Sequence, residues 1–163
     1  MIVILFTQGR PPSDGFIWRA VTRFCAMTGH ALPSGKIVRP PGAKPHFSER
    51  SPDFSLSHSG EFTAVAVSET PVGLDIEKLR PIDAAAVSRR FFGKEIADRA
   101  AFFSEWTKRE AAIKRDGYGF PARLKETPNA ISIPFAPGYA AAYSGGAGEI
   151  YLIEDTEESE QHP

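Results

Sequence analysis

The stretch Val72-Gly-Leu-Asp-Ile-Glu77 alternates apolar and acidic residues. Side chains along a strand point to opposite faces in turn, so as a strand it sends Leu74 and Ile76 one way and Asp75 and Glu77 the other. Two carboxylates then stand side by side. Each raises the other's pKa, and the arrangement is costly unless a cation, a proton or a hydrogen-bond network offsets it. Taken alone, such a pair is a solvated edge or turn; the surrounding chain argues for more.

Just upstream, Glu69-Thr-Pro71 reads as a turn and Phe62 to Val67 as a strand, so the two strands are expected to pair as a hairpin with Asp75 and Glu77 at its open end. Before them, Phe54-Ser-Leu-Ser-His-Ser59 alternates apolar and polar until Gly60 breaks it. Ser57, His58 and Ser59 resemble a nucleophile with its base, but strand neighbours face opposite ways and cannot form a triad among themselves. His58 either donates to an anion at the strand end or sits half-buried and satisfied. Pro33 to Lys44 is loop-like around a short strand at Lys36 to Val38, ended by Lys44-Pro45. Met1-Ile-Val-Ile-Leu-Phe6 reads as a first strand. A helix follows from about Asp14 to Met27, with Ser13 as N-cap, Gly29 as stop, and Ile17, Val21, Phe24 and Cys25 as its apolar stripe. Arg19 and Arg23 share a flank, either as a solvated face or as a pair that meets a phosphate.

Downstream, Pro81 precedes a helical run from Ile82 to Phe92 that begins near Asp83, and Gly93 separates it from another beginning near Lys94. In Phe103-Ser-Glu-Trp-Thr-Lys-Arg-Glu-Ala-Ala-Ile-Lys114, helical spacing puts Phe103, Trp106, Glu110 and Ile113 on one stripe. A carboxylate there interrupts the apolar face and needs a partner. A metal shared with Asp75 and Glu77 supplies one; a plain i,i+4 bridge to Lys114 is the other possibility, and it leaves the acidic pair unexplained. Three carboxylates without His or Cys make an all-oxygen set suited to Mg²⁺ or Mn²⁺. The chemistry this suggests is phosphoryl-type transfer on a diphosphate, with Lys114, His58 and Lys44 neutralising the remaining oxygens. There is no phosphate-binding loop of the Gly-x-x-x-x-Gly-Lys type, and Gly145-Gly-Ala-Gly148 reads as a hairpin turn.

Composition bounds these readings. The chain has 163 residues, 42% of them hydrophobic, which suits one core; residues 1–153 are expected to form a single domain. At a net charge of −1 no bulk electrostatic argument favours nucleic acid or an anionic membrane, and neither is expected as a partner. The single cysteine, Cys25, excludes an intramolecular disulfide and fits a reducing cytoplasm. No run approaches the length of a membrane span, and Met1 to Phe6 lacks the basic flank and length of a signal peptide. The acidic residues 154–163 are expected to be a disordered tail.

In order and spacing, Phe54-Ser-Leu-Ser-His-Ser59, Val72-Gly-Leu-Asp-Ile-Glu77 with Lys78, and Trp106-Thr-Lys-Arg-Glu-Ala-Ala-Ile-Lys114 resemble the signature of 4′-phosphopantetheinyl transferases. The resemblance covers roughly Gly42 to Ser144 and is nearer the larger, monomeric type that activates peptide and polyketide synthetases. It implies an α/β (α+β) fold of two similar halves about a pseudo-twofold axis, with Pro137-Gly-Tyr-Ala-Ala-Ala-Tyr143 as the closing strand of the second half. The implied activity moves the phosphopantetheine arm of coenzyme A onto a serine of an acyl or peptidyl carrier protein, with Mg²⁺, releasing adenosine 3′,5′-bisphosphate.

The resemblance assigns Asp75, Glu77 and Glu110 as metal ligands. Glu110, or a water it holds, becomes the base for the carrier serine, and Lys114 stabilises charge on the diphosphate. Lys44, Ser57, His58 and Lys114 become the contacts to coenzyme A. The chain departs from the pattern in a shorter stretch before Lys44, in Gly42-Ala-Lys-Pro45 where the family has Gly-Lys-Pro, and in Arg109 where lysine is common. The alternative implied by the shortened first half is a relative that binds coenzyme A or carrier protein without transfer.

Overall fold

The computed structural model describes residues 1–117, 122–146 and 148–156. In chain order the elements are β1 (Ile2–Gln8), α1 (Ser13–Thr28), β2 (Ile37–Val38), β3 (His46–Phe47), β4 (Asp53–Ser59), β5 (Phe62–Ser68), β6 (Val72–Lys78), α2 (Ala84–Phe92), α3 (Arg99–Asp116), a 3₁₀ turn (Ala122–Lys125), β7 (Ile131–Ser132), β8 (Tyr139–Gly145) and β9 (Ile150–Glu154). The fold is mixed α/β. Strands β4-β5-β1-β9 form one sheet, β6-β8-β7 a second, and β2-β3 a small ribbon.

Burial follows from the residue pattern. In α1 the buried residues Phe16, Ile17, Ala20, Val21, Phe24 and Cys25 recur every three to four positions and so line one helical face. That face meets Val3, Leu5, Val65 and Val67 on the first sheet, with Phe47 and Phe54 filling its margin. Each fully buried Phe contributes about 1.5 to 3 kcal/mol. The opposite face of the same sheet presents Ile2, Ile4, Ala64 and Ala66 to Val72, Leu74, Ile76, Ala141 and Tyr143 of the second sheet. In β5, valines thus face the helix, and alanines face the second sheet. Helix α3 covers β6 and β8 from the other side. Phe102, Phe103 and Trp106 of α3 pack with Phe92 of α2.

Gly73 sets how close α3 comes. A Cβ there would stand 1.8 Å from the Ala111 carbonyl oxygen and 2.5 Å from the Arg115 nitrogen, both backbone atoms of α3. Gly73→Ala is therefore expected to push the helix off the strand and lower stability by about 1 to 3 kcal/mol, read from urea unfolding.

Several sequence expectations are corrected here. The Phe62 to Val67 strand does not pair with Val72 to Glu77. Both edges of β5 are occupied, by β1 and β4, so β6 pairs antiparallel with β8 instead. The hairpin is β4–β5, turned at Gly60, whose φ of 54° is left-handed. Gly145 to Gly148 joins two sheets rather than closing a hairpin, because β9 runs parallel to β1 while β8 lies in the second sheet. Ser13 is the first residue of α1, not its cap: Pro12 takes that place without a side-chain bond, while Gly29 ends the helix at φ 77° as expected. The second long helix starts later than Lys94, at Arg99, capped by Asp98. Glu154 closes β9 and Asp155 binds Arg19 at 2.8 Å, so these two residues of the expected tail are ordered parts of the fold; residues 157–163 lie outside the described residues. Among the described residues no helix is long and apolar enough to cross a membrane.

Candidate active site

The site is built where β4, β6 and α3 meet. β6 is the outer strand of its sheet, so the N–H groups along its free side need acceptors from elsewhere. β4 supplies them from side chains at every second position. Asp53 Oδ2 accepts from Val72 N–H at 2.7 Å, and Ser55, Ser57 and Ser59 Oγ accept from Leu74, Ile76 and Lys78 N–H at 3.0, 3.2 and 3.0 Å. Two of these hydroxyls also hold the acidic pair: Ser57 Oγ donates to Asp75 Oδ1 at 3.0 Å and Ser59 Oγ donates to Glu77 Oε2 at 2.9 Å.

From the other side, the close contact at Gly73 brings Glu110 and Lys114 over the same carboxylates. Lys114 Nζ donates to Asp75 Oδ1 at 2.7 Å and to Ser57 Oγ at 3.1 Å. The i,i+4 bridge between Glu110 and Lys114 is therefore not the arrangement adopted: the ammonium goes to the more buried carboxylate. Among the described residues no hydrogen bond holds Glu110, and its pKa is pushed up to about 7 by burial and by the Asp75 and Glu77 charges, against the opposing pull of Lys114. Asp75 is 5% exposed. Burial raises its pKa despite Lys114 and Ser57, and Glu77 adds to the rise. Its second oxygen, Oδ2, is buried and has no hydrogen-bond partner among the described residues. Glu77 is more open and accepts from Arg80 at 2.9 Å as well as from Ser59.

This donor set fits a hard divalent cation in its chemistry: three carboxylates that repel one another, one with an orphaned buried oxygen. As the side chains stand, however, no group of three or more His, Cys, Asp or Glu among the described residues is gathered into a ready ligand cluster. Lys114 occupies part of the charge-neutralising role.

The remaining predicted residues divide. Ser57 is in the cluster, but its one proton is spent on Asp75 while Lys114 and Ile76 N–H donate to it. Lys44 borders a cleft of about 380 Å³ that also contains Glu110, Lys114, Leu56 and Ile113. A wider cleft of about 660 Å³ adjoins it at Lys44 and Gly117 and is lined by His46, Arg50 and Arg115 together with Asp53 and Asp116. The Lys44 ammonium itself is paired with Asp53 and donates to the Val72 carbonyl at 2.7 Å, and burial lowers its pKa. His58 lies on the β4 face of Phe54 and Leu56, opposite the rungs that hold the acidic pair; it is exposed, and Leu56 on that face lines the smaller cleft. Arg109 also faces elsewhere: its buried guanidinium binds the Glu105 carboxylate and the Leu124 and Glu126 carbonyls, over the Phe92 ring.

Sequence reasoning missed Asp53, the place of Ser59 beside Glu77, and Arg80. The signal for the first two was present in Asp53-Phe-Ser-Leu-Ser-His-Ser59, whose polar residues at every second position mark one strand face.

Over about half its length the chain is similar in sequence to 4′-phosphopantetheinyl transferases. Relatives include the 4′-phosphopantetheinyl transferase psf-1 of Bacillus pumilus, 42% identical over 45% of this chain and 38% of that protein. Sfp of Bacillus subtilis is 37% identical over 44% of this chain and 36% of its own length, and AcpT of Salmonella typhi 38% identical over 52% and 51%. The matches thus span about half or less of these relatives. No protein-family model matches the chain.

Proposed function

We propose that this protein transfers the 4′-phosphopantetheine arm of coenzyme A to a serine of an acyl or peptidyl carrier protein, releasing adenosine 3′,5′-bisphosphate. The observation that carries the reading is the convergence of Asp75, Glu77, Glu110 and Lys114, supported by the similarity to named transferases. In this reading Asp75, Glu77 and Glu110 hold Mg²⁺, or Mn²⁺, which when bound offsets charge on the diphosphate.

The chain's own groups do the rest. Glu110, poised near neutrality by its surroundings, takes the proton of the carrier serine directly or through a water. The serine oxygen forms its bond to the pantetheine phosphorus as the bond to the departing bisphosphate breaks. Lys114, held beside Asp75 with its side chain partly open to solvent, meets the negative charge on that leaving oxygen. The adjoining clefts at Lys44 give an extended nucleotide room on both sides of the lysine, with Arg50 and Arg115 as local cations for a phosphate. Residues 1–155 act as one unit in this account, a monomer in the cytoplasm, and the two sheets with a helix on each favour the reading of two similar halves.

Release of adenosine 3′,5′-bisphosphate, followed by chromatography with and without EDTA, is the test. Its appearance only with carrier protein and divalent cation is expected. Pyrophosphate instead would indicate a different diphosphate chemistry. Binding of coenzyme A or carrier with no product would favour a non-catalytic relative.

A further inference from the structure

The β4 ladder has four rungs, and they are not equivalent. All four accept a β6 N–H; among the described residues Ser55 does only that, whereas Ser59 also donates to Glu77. A hydroxyl that accepts from Lys78 N–H and donates to Glu77 Oε2 ties the carboxylate of one β6 residue to the backbone of the next. Glu77 lies toward the open end of the strand and is the most solvent-accessible of the acidic pair. An open glutamate has several rotamers, and Arg80 donates to the same oxygen as Ser59.

We propose that Ser59 is a positioning residue for the cation site: its hydroxyl ties the Glu77 carboxylate to the Lys78 backbone and so limits its rotamers beside Asp75. The inference rests on the reading of Asp75, Glu77 and Glu110 as cation ligands. Outer partners of ligating carboxylates typically change metal affinity by about 10- to 100-fold when removed. The lower end applies to Ser59, because Glu77 keeps its chain position without it.

Mn²⁺ binding to the full chain, titrated by electron paramagnetic resonance without coenzyme A or carrier, tests this independently of turnover. Ser59→Ala is expected to weaken Mn²⁺ by about tenfold, with Ser59→Thr close to the unsubstituted protein, since Thr retains the hydroxyl and suits a strand. Ser55→Ala removes a rung of the same backbone kind and is expected to lower thermal stability while leaving Mn²⁺ affinity unchanged. Equal Mn²⁺ affinity for Ser59→Ala and the unsubstituted protein would overturn the inference and leave the transferase reading standing. Equal losses in Ser55→Ala and Ser59→Ala would also overturn it, because the effect would then belong to the strand contact alone. Absence of Mn²⁺ binding in the unsubstituted protein would overturn both the inference and the cation reading.

Discussion

Asp75→Asn is expected to abolish transfer, by at least about 10² to 10³-fold, and at the same time to raise the melting temperature of the metal-free protein. The two effects have one source. Asp75 is buried between β4, β6 and α3, with Oδ2 unpartnered, and its raised pKa means that burial and the Glu77 charge outweigh what Lys114 and Ser57 return. Its ionised form is thus held at a cost in the empty protein. Asparagine keeps the shape and can accept from Lys114 and Ser57 without the charge. Removing one partner of a buried ion pair usually destabilises, but Lys114 is 30% exposed and can reach water, so little is stranded. Differential scanning calorimetry in EDTA checks the sign. A lower melting temperature would mean that the ion pair, not the desolvation, dominates.

The second large effect concerns Glu110. Its pKa rises from an ordinary 4.5 to about 7 on folding. The folded protein therefore retains this proton longer than the unfolded chain. The associated stability is complete below pH 4.5 and is lost as pH climbs through 7, when a carboxylate must ionise beside Asp75 and Glu77. For a half-buried group the loss is on the order of 2 kcal/mol after solvent screening. Glu110→Gln is expected to flatten that slope, making the metal-free variant the more stable protein at pH 8, while transfer falls by about 10² to 10⁴-fold for want of a base. The value near 7 belongs to the metal-free carboxyl; the rate, which needs Mg²⁺, is expected to rise with pH through a midpoint below 7, because a bound cation favours the ionised carboxylate. Melting curves and initial rates between pH 5 and pH 9 check both parts.

The strand Val72 to Lys78 and its acidic face were legible because alternation is a local property. The start of α2 near Asp83 and the end of α1 at Gly29 were legible for the same reason. What the sequence hid was long-range competition. β5 and β6 are neighbours in the chain with a turn between them, and adjacency favours a hairpin. Yet β5 is claimed on both edges by β1 and β4, and no local pattern in Phe62 to Val67 records that. Lys114 was similarly ambiguous. Its helical neighbour Glu110 is one turn away, but Asp75, 39 residues distant, is the carboxylate it pairs with. His58 follows the same alternation: Ser57 and Ser59 take the acidic side, and His58 takes the face of Leu56, which lines the smaller cleft.

The central claim is transfer to a carrier protein, and the most direct measurement is the intact mass of an apo carrier incubated with this protein, coenzyme A and Mg²⁺, beside an EDTA control. The account predicts a gain of one phosphopantetheine group, absent with EDTA and absent with Asp75→Asn. No gain on any of several acyl and peptidyl carriers, in the presence of measured coenzyme A binding, would contradict it.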